Sequence, residues 1–129
     1  MRNINIAAAK TTKADTTPVK VIAYYMGDGS DLARYDFNQL THIIYSFLHL
    51  NGNQLAFDND KDKQALARLV ALKKDYPQLK VMLSLGGWGG CETCSDVFNS
   101  AENRTAFAQS AAGSLFTAFF GFGTTINDY

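Results

Sequence analysis

The run Ser84-Leu85-Gly86-Gly87-Trp88 puts a hydroxyl, two glycines and the only tryptophan of the chain within five residues. Glycine lacks a Cβ, so a ligand or a neighbouring group can approach its backbone closely. An indole beside a hydroxyl suits a ligand with an apolar face and a polar edge, because the ring stacks on one while the hydroxyl bonds the other. A sugar ring has both. Tyr24 with Tyr25, and Ser46 with Phe47, bring aromatic and hydroxyl groups at two earlier points. Neighbouring strand residues face opposite sides, so one of the two tyrosines packs inward or against a helix.

Other chemistries compete for the same residues. Taken alone, Ser84-Leu85-Gly86-Gly87 is also an ordinary strand-to-loop turn. A phosphate cradle does not fit, since no Lys-Ser or Lys-Thr follows and the spacing is not Gly-x-Gly-x-x-Gly, and no cofactor is implied. His42 and His49 have no metal-ligand partner set and read as structural or surface residues. Cys91 and Cys94 form a Cys-x-x-Cys pair, too few thiols for a four-thiolate zinc site but compatible with a redox dithiol at a helix N-terminus. Twelve basic residues balance twelve acidic ones, so no long-range field draws the chain to nucleic acid or to an anionic membrane. The expected ligand is uncharged or small.

Strands must present these groups. Val19–Met26 is a continuous apolar and aromatic run closed by Gly27, Asp28 and Gly29, as expected of a strand buried on both faces. His42–Leu50 repeats the type and ends in Asn51-Gly52-Asn53, a turn sequence. From Asp60 the period becomes helical, with Leu66, Leu69, Val70 and Tyr76 on one side, Asp60 as N-cap and Pro77 as stop. The charged side of this helix is a solvated outer face. Lys80–Leu85 is a third strand, and a second helix follows from an N-cap at Ser100, carrying Phe107, Ala111, Leu115 and Ala118 at near-helical spacing. Short apolar strands separated by a helix predict an α/β fold with a parallel sheet, whose functional groups gather at the C-terminal strand ends. Those ends set Tyr24 or Tyr25, Ser46 with Phe47, and Ser84 to Trp88 on one rim. At 129 residues the chain is long enough for a doubly wound sheet but about half a (β/α)₈ barrel, which takes about 250.

Leu40-Thr41-His42-Ile43-Ile44-Tyr45-Ser46-Phe47 and Leu79 to Gly90, with the Ser-x-Gly-Gly motif at Ser84-Leu85-Gly86-Gly87 and Trp88 directly after it, resemble the second and third barrel strands of family 18 glycoside hydrolases, the chitinases. Val21–Met26 resembles the first. The likeness spans about residues 19–110. It implies a partial (β/α)₈ TIM barrel of the first three to four β/α units. It also implies chitin or N-acetylglucosamine oligosaccharide as partner, with an extracellular or periplasmic setting, although residues 1–20 contain no signal-peptide core or membrane span. By the same likeness Tyr24 and Ser84 would steady the carboxylate array, Phe47 would floor the sugar site beside Gly86 and Gly87, and Trp88 would stack a ring on the reducing-end side. Cys91 and Cys94 fall in the loop that varies among relatives, which favours a local disulfide or idle thiols over redox chemistry.

The family hydrolyses its polymer with retention, the substrate's own N-acetyl oxygen attacking the anomeric carbon while one glutamate protonates the leaving oxygen. That glutamate closes an Asp-x-x-Asp-x-Asp-x-Glu run on the fourth strand. Here Gly121-Phe122-Gly123-Thr124-Thr125-Ile126-Asn127-Asp128-Tyr129 stands in its place, and no glutamate follows Glu102. The expectation is therefore a polar leader over residues 1–18, a chitinase-like domain from 19 onward with a divergent tail over 111–129 left by truncation or a shifted frame, no catalytic acid, and no turnover by this chain alone. A barrel edge left unpaired would favour self-association.

Overall fold

A strand of the apolar type just described hydrogen-bonds whichever neighbour shares its direction, and β2 (His42–Asn51) takes two. It pairs in parallel with β1 (Ile22–Tyr25) on one side and with β4 (Lys80–Leu85) on the other. The structure, a computed structural model, describes residues 18–120. The proposed leader up to Thr17 and the tail from Gly121 lie outside that range, as do the side chains of Leu115 and Ala118.

Beyond Leu48 the central strand continues into a hairpin with β3 (Gln54–Ala56), antiparallel to it. Asn51 pairs with Gln54, so Gly52 and Asn53 form a two-residue loop. Gly52 has φ 63° at the first loop position while Asn53 is not at positive φ, the pattern of a II′-type turn with glycine first. This hairpin is an addition to the three strands expected.

Helix α1 (Asp60–Ala71) starts one residue earlier than expected. Asn59, not Asp60, is the N-cap: its side-chain oxygen accepts from the amides of Lys61 at 2.9 Å and Asp62 at 3.2 Å. Asp60 and Asp62 then lie in the first turn, where the helix dipole favours negative charge. A single 3₁₀ turn, Leu72–Lys74, ends the helix ahead of Pro77, and another, Leu32–Arg34, stands where the first β/α unit would carry its helix.

The core lies between α1 and one face of the sheet. Ala65, Leu66, Leu69 and Val70 meet Tyr25, Ile43, Tyr45 and Leu48, with Leu32, Phe37, Leu55 and Leu79 closing the ends. Tyr76 packs edge-on against Phe37, ring centroids 5.5 Å apart. Each buried leucine side chain here contributes about 1.5–3 kcal/mol of transfer free energy.

The other face of the sheet is bare among the described residues. Tyr24, Ile44 and Met82 stand side by side in one row of the ladder, and Tyr24 and Met82 are 69% and 46% exposed. Ile22 and Met26 extend the same face. The expectation that Val19–Met26 is covered on both sides is thus wrong for the described residues: only Tyr25 is buried. The sequence is apolar on both faces as a closed barrel, covering the second one, would require, and among the described residues no other wall does so.

The chain returns through a short helix α2 (Cys94–Phe98) and then α3 (Ala101–Phe120). Ser100 caps α3 as expected, its hydroxyl accepting from the Asn103 amide at 3.0 Å. The helix is fixed to the hairpin: the Leu55 amide donates to Ser110 Oγ at 2.8 Å, and Asn53 Nδ2 donates to Asn103 Oδ1 at 3.0 Å. Phe98 and Phe107 pack edge to face, centroids 4.9 Å apart.

Candidate functional site

Because β1, β2 and β4 are parallel, their C-terminal ends open on one rim. The rim is built from three loops, each held by a different device.

After β1 the chain is tied to Asp31. The Tyr25 hydroxyl donates to Asp31 Oδ1 at 2.6 Å and accepts from the Gly29 amide at 2.8 Å, while the Tyr35 hydroxyl donates to Asp31 Oδ2 at 2.9 Å. Burial, and then the bond to Asp31, push the Tyr25 phenol up to about 12. The two phenols hold the Asp31 carboxyl below the usual carboxylate range. With Tyr25 turned inward, Tyr24 points out over the bare face.

At the end of β2 the Ser46–Phe47 peptide is cis, and the register against β4 slips between Ser46 and Leu48. Ser46 sits opposite Ser84 in that register. Its hydroxyl is buried and has no partner among the described residues. Tyr45 points the other way, its hydroxyl donating to Asp62 Oδ1 at 2.9 Å, and burial followed by this bond raises its phenol further than that of Tyr25.

After β4 come the glycines. Gly86 and Gly87 have φ of 94° and 96°, a region that L side chains rarely enter. At Gly87 a Cβ would lie 2.9 Å from the Phe47 ring, so glycine is required there twice over. The Gly90 amide donates to the Gly87 carbonyl at 3.2 Å, closing a turn with Trp88 and Gly89 at its tip. Trp88 is fully exposed. Cys91 and Cys94 are joined as a disulfide with their Cα atoms 5.1 Å apart, at the entry to α2.

Six residues were singled out from sequence: Tyr24, Phe47, Ser84, Gly86, Gly87 and Trp88. The fold brings Phe47 under Gly87 and leaves Trp88 on the same loop, and Ser84 lies beside Ser46. Tyr24 stands one row lower in the alternation, in register with Ile44 and Met82. A cleft of about 370 Å³ runs from Met26 and Gly27 past Ser46 and Phe47 to His49 and Asp58. Its acids are already engaged: Asp58 Oδ2 is 2.7 Å from His49 Nδ1, Asp62 accepts from Tyr45, and Asp28 accepts from the Ser30 amide at 2.9 Å. Sequence reading missed the His49–Asp58 pair. The signal was present in Gly52-Asn53, the two-residue loop of a hairpin that folds the segment after β2 back toward His49. The cleft presents the Phe47 ring together with the side chains of Asn59 and Lys61, while the Tyr45 and Ser46 hydroxyls lie buried behind it.

The profile of glycosyl hydrolases family 18 matches residues 20–120. The chain belongs to that family. The match extends about ten residues past the point where the sequence likeness fades. Chitotriosidase-1 of Mus musculus is 35% identical over 86 residues, which is 66% of this chain and 18% of that protein. The chitinase domain of the spore coat protein CotE from Clostridium difficile superposes with a TM-score of 0.67 at 25% identity, covering 88% of this chain and 31% of that one. A catalytic domain of the Ostrinia furnacalis group II chitinase, solved as a mutant in complex with penta-N-acetylchitooctaose, superposes with a TM-score of 0.65 at 25% identity over 77% of this chain and 29% of its own. The chain thus spans less than a third of the length of each of these relatives, and the fold is the corresponding part of a family 18 TIM barrel. No helix among the described residues is long and apolar enough to cross a membrane.

Proposed function

We propose that this chain supplies the sugar-binding rim of a chitinase-type barrel whose complete domain hydrolyses β-1,4-linked N-acetylglucosamine polymers. One observation carries the reading: the single tryptophan is fully exposed at the tip of a glycine turn, directly after Gly87, whose backbone lies on the Phe47 ring, and on the loop that leaves the Ser84 strand end. An indole in that position costs nothing to desolvate against a pyranose face, and the hydroxyls and backbone amides beside it suit the ring's polar edge.

In this reading Trp88 stacks a sugar, Phe47 forms the floor beside Gly86 and Gly87, and Tyr24 and Ser84 steady the carboxylates of an acidic run in a complete domain. Hydrolysis there proceeds with retention through the substrate's acetamido group. The acids lining the cleft, Asp28, Asp58 and Asp62, each accept a hydrogen bond that holds a loop or a helix start, and none stands in the acidic run that the family's mechanism uses. By itself the chain binds without turnover. A polymeric substrate of this kind places the work outside the cytoplasm.

Titration of the full chain with N-acetylglucosamine hexamer, followed by Trp88 fluorescence, tests the reading. A spectral change with a dissociation constant of about 1 mM or weaker is expected, because only part of a binding groove is present. Trp88→Ala, which carries no tryptophan and is therefore titrated by calorimetry, should lose binding and keep its melting temperature. No response from Trp88 at tens of millimolar sugar overturns the proposal. Micromolar binding without hydrolysis favours instead a chitin lectin, and release of shorter oligomers refutes the inactive chain.

A further inference from the structure

His49 is absorbed neither by the core nor by the sugar contacts assigned above. It lies two residues beyond Phe47 on β2, and the two side chains support successive parts of the same loop. Phe47 lies under Gly87, whereas the His49 ring lies against Gly90: a Cβ at Gly90 would be 2.7 Å from both Cδ2 and Nε2 of the ring. The opposite ring nitrogen is held, His49 Nδ1 standing 2.7 Å from Asp58 Oδ2. Asp58 is itself placed by the hairpin that ends at Ala56 and by the α1 cap at Asn59. Gly90 is pinned from the other side too, since the same Cβ would lie 2.5 Å from the Gly86 carbonyl oxygen. The turn whose amide bond runs from Gly90 to Gly87 therefore rests on two rings of β2, with Trp88 at its tip.

We propose that His49, fixed by Asp58, is a positioning residue for Trp88. It links the loop after β2 to the loop after β4 and sets where the indole stands over the rim. This rests on the reading of Trp88 as a sugar-stacking residue for its consequence, but its first readout does not need sugar. A ring locked at Nδ1 cannot swing away from Gly90 without losing a short hydrogen bond, so the turn keeps one height above the sheet. Ordering the turn beforehand removes part of the cost of ordering it on binding.

The test uses the full chain and its one tryptophan. His49→Ala, Asp58→Asn and His49→Gln are compared by the fluorescence anisotropy and the indole N–H resonance of Trp88 without ligand. Thermal melts confirm that each variant is folded. His49→Ala should lower the anisotropy and move the indole resonance. Asp58→Asn should do so less, and His49→Gln, which still reaches Asp58, should restore part of the loss. Where the wild type binds N-acetylglucosamine hexamer, His49→Ala should weaken it about fivefold, the equivalent of roughly 1 kcal/mol. A His49→Ala variant that melts lower while leaving both Trp88 signals unchanged assigns His49 a purely structural part and overturns the proposal. If both signals move although the wild type binds no sugar, the positioning role stands and the sugar reading fails.

Discussion

Ser46 and Ser84 face each other in register on neighbouring parallel strands, and the Ser46 hydroxyl is buried without a partner among the described residues. An unmade hydrogen bond inside a protein costs about 1–3 kcal/mol relative to one that is satisfied. Ser46→Ala removes the orphan at the expense of one small polar atom. It is expected to leave stability unchanged or to raise it by up to about 1 kcal/mol, read as the midpoint of urea unfolding. A drop of that size instead would mean that the hydroxyl has a partner.

The glycine turn separates two effects that are usually confounded. Gly89 has φ 68° with open space where a Cβ would go, while Gly87 has φ 96° and the Phe47 ring 2.9 Å away. Gly89→Ala should cost about 1 kcal/mol, the conformational penalty alone. Gly87→Ala should cost clearly more, on the order of 2–3 kcal/mol, as strain and overlap add. Equal losses in the two variants would refute the close seating of Phe47.

Stability at the pH extremes should respond to one hydrogen bond. Tyr25 is raised from 10.0 to about 12 in the folded chain, so its contribution is complete below pH 10 and is lost as pH climbs toward 12. Asp31 is lowered, so its contribution is present above its unfolded value and disappears as pH falls through the folded one. Tyr25→Phe should flatten both arms of a plot of unfolding midpoint against pH. Part of the alkaline slope should survive through Tyr45, whose phenol is also raised. Two unaltered arms in this variant would show that the bond to Asp31 is not made in solution.

Much of this was readable beforehand, and the exceptions have physical causes. The spacing of Leu66, Leu69 and Val70 gives the buried side of α1 directly, and Lys80–Leu85 is a strand with the expected ends. The start of α1 shifted because Asn59 and Asp60 are equally good caps, and only the extended backbone of Asn59 decides between them. At β1 the apolar run was read as covered on two sides, which is a property of the whole barrel rather than of this segment. In the site, Phe47 and Gly87 are forty residues apart, and nothing local signals that the ring requires the missing Cβ. The bond between His49 and Asp58 depends on a hairpin of only three paired positions, short enough to be read as a turn.

The row of Tyr24, Ile44 and Met82 makes a further prediction about association. These side chains form a contiguous apolar strip beside edges of β1 and β4 that have no partner strand among the described residues. The chain is expected to self-associate in sedimentation velocity as its concentration rises, and Met82→Lys should shift it toward monomer by placing a charge in that strip. A monomeric wild type at high concentration would refute the prediction.

The bonding of α3 has its own consequence for how the molecule comes apart. The Leu55 amide and Asn53 side chain tie this helix to the hairpin, while Phe107 and Ala111 pack it against the core. Amide exchange should find Leu55 opening together with the middle of α3 and well before Ile43 or Leu48. The hairpin thus joins the far end of β2 to a helix fifty residues further along the chain, and a change at Asn53 should be felt in α3 while the glycine rim stays where β2 and β4 set it.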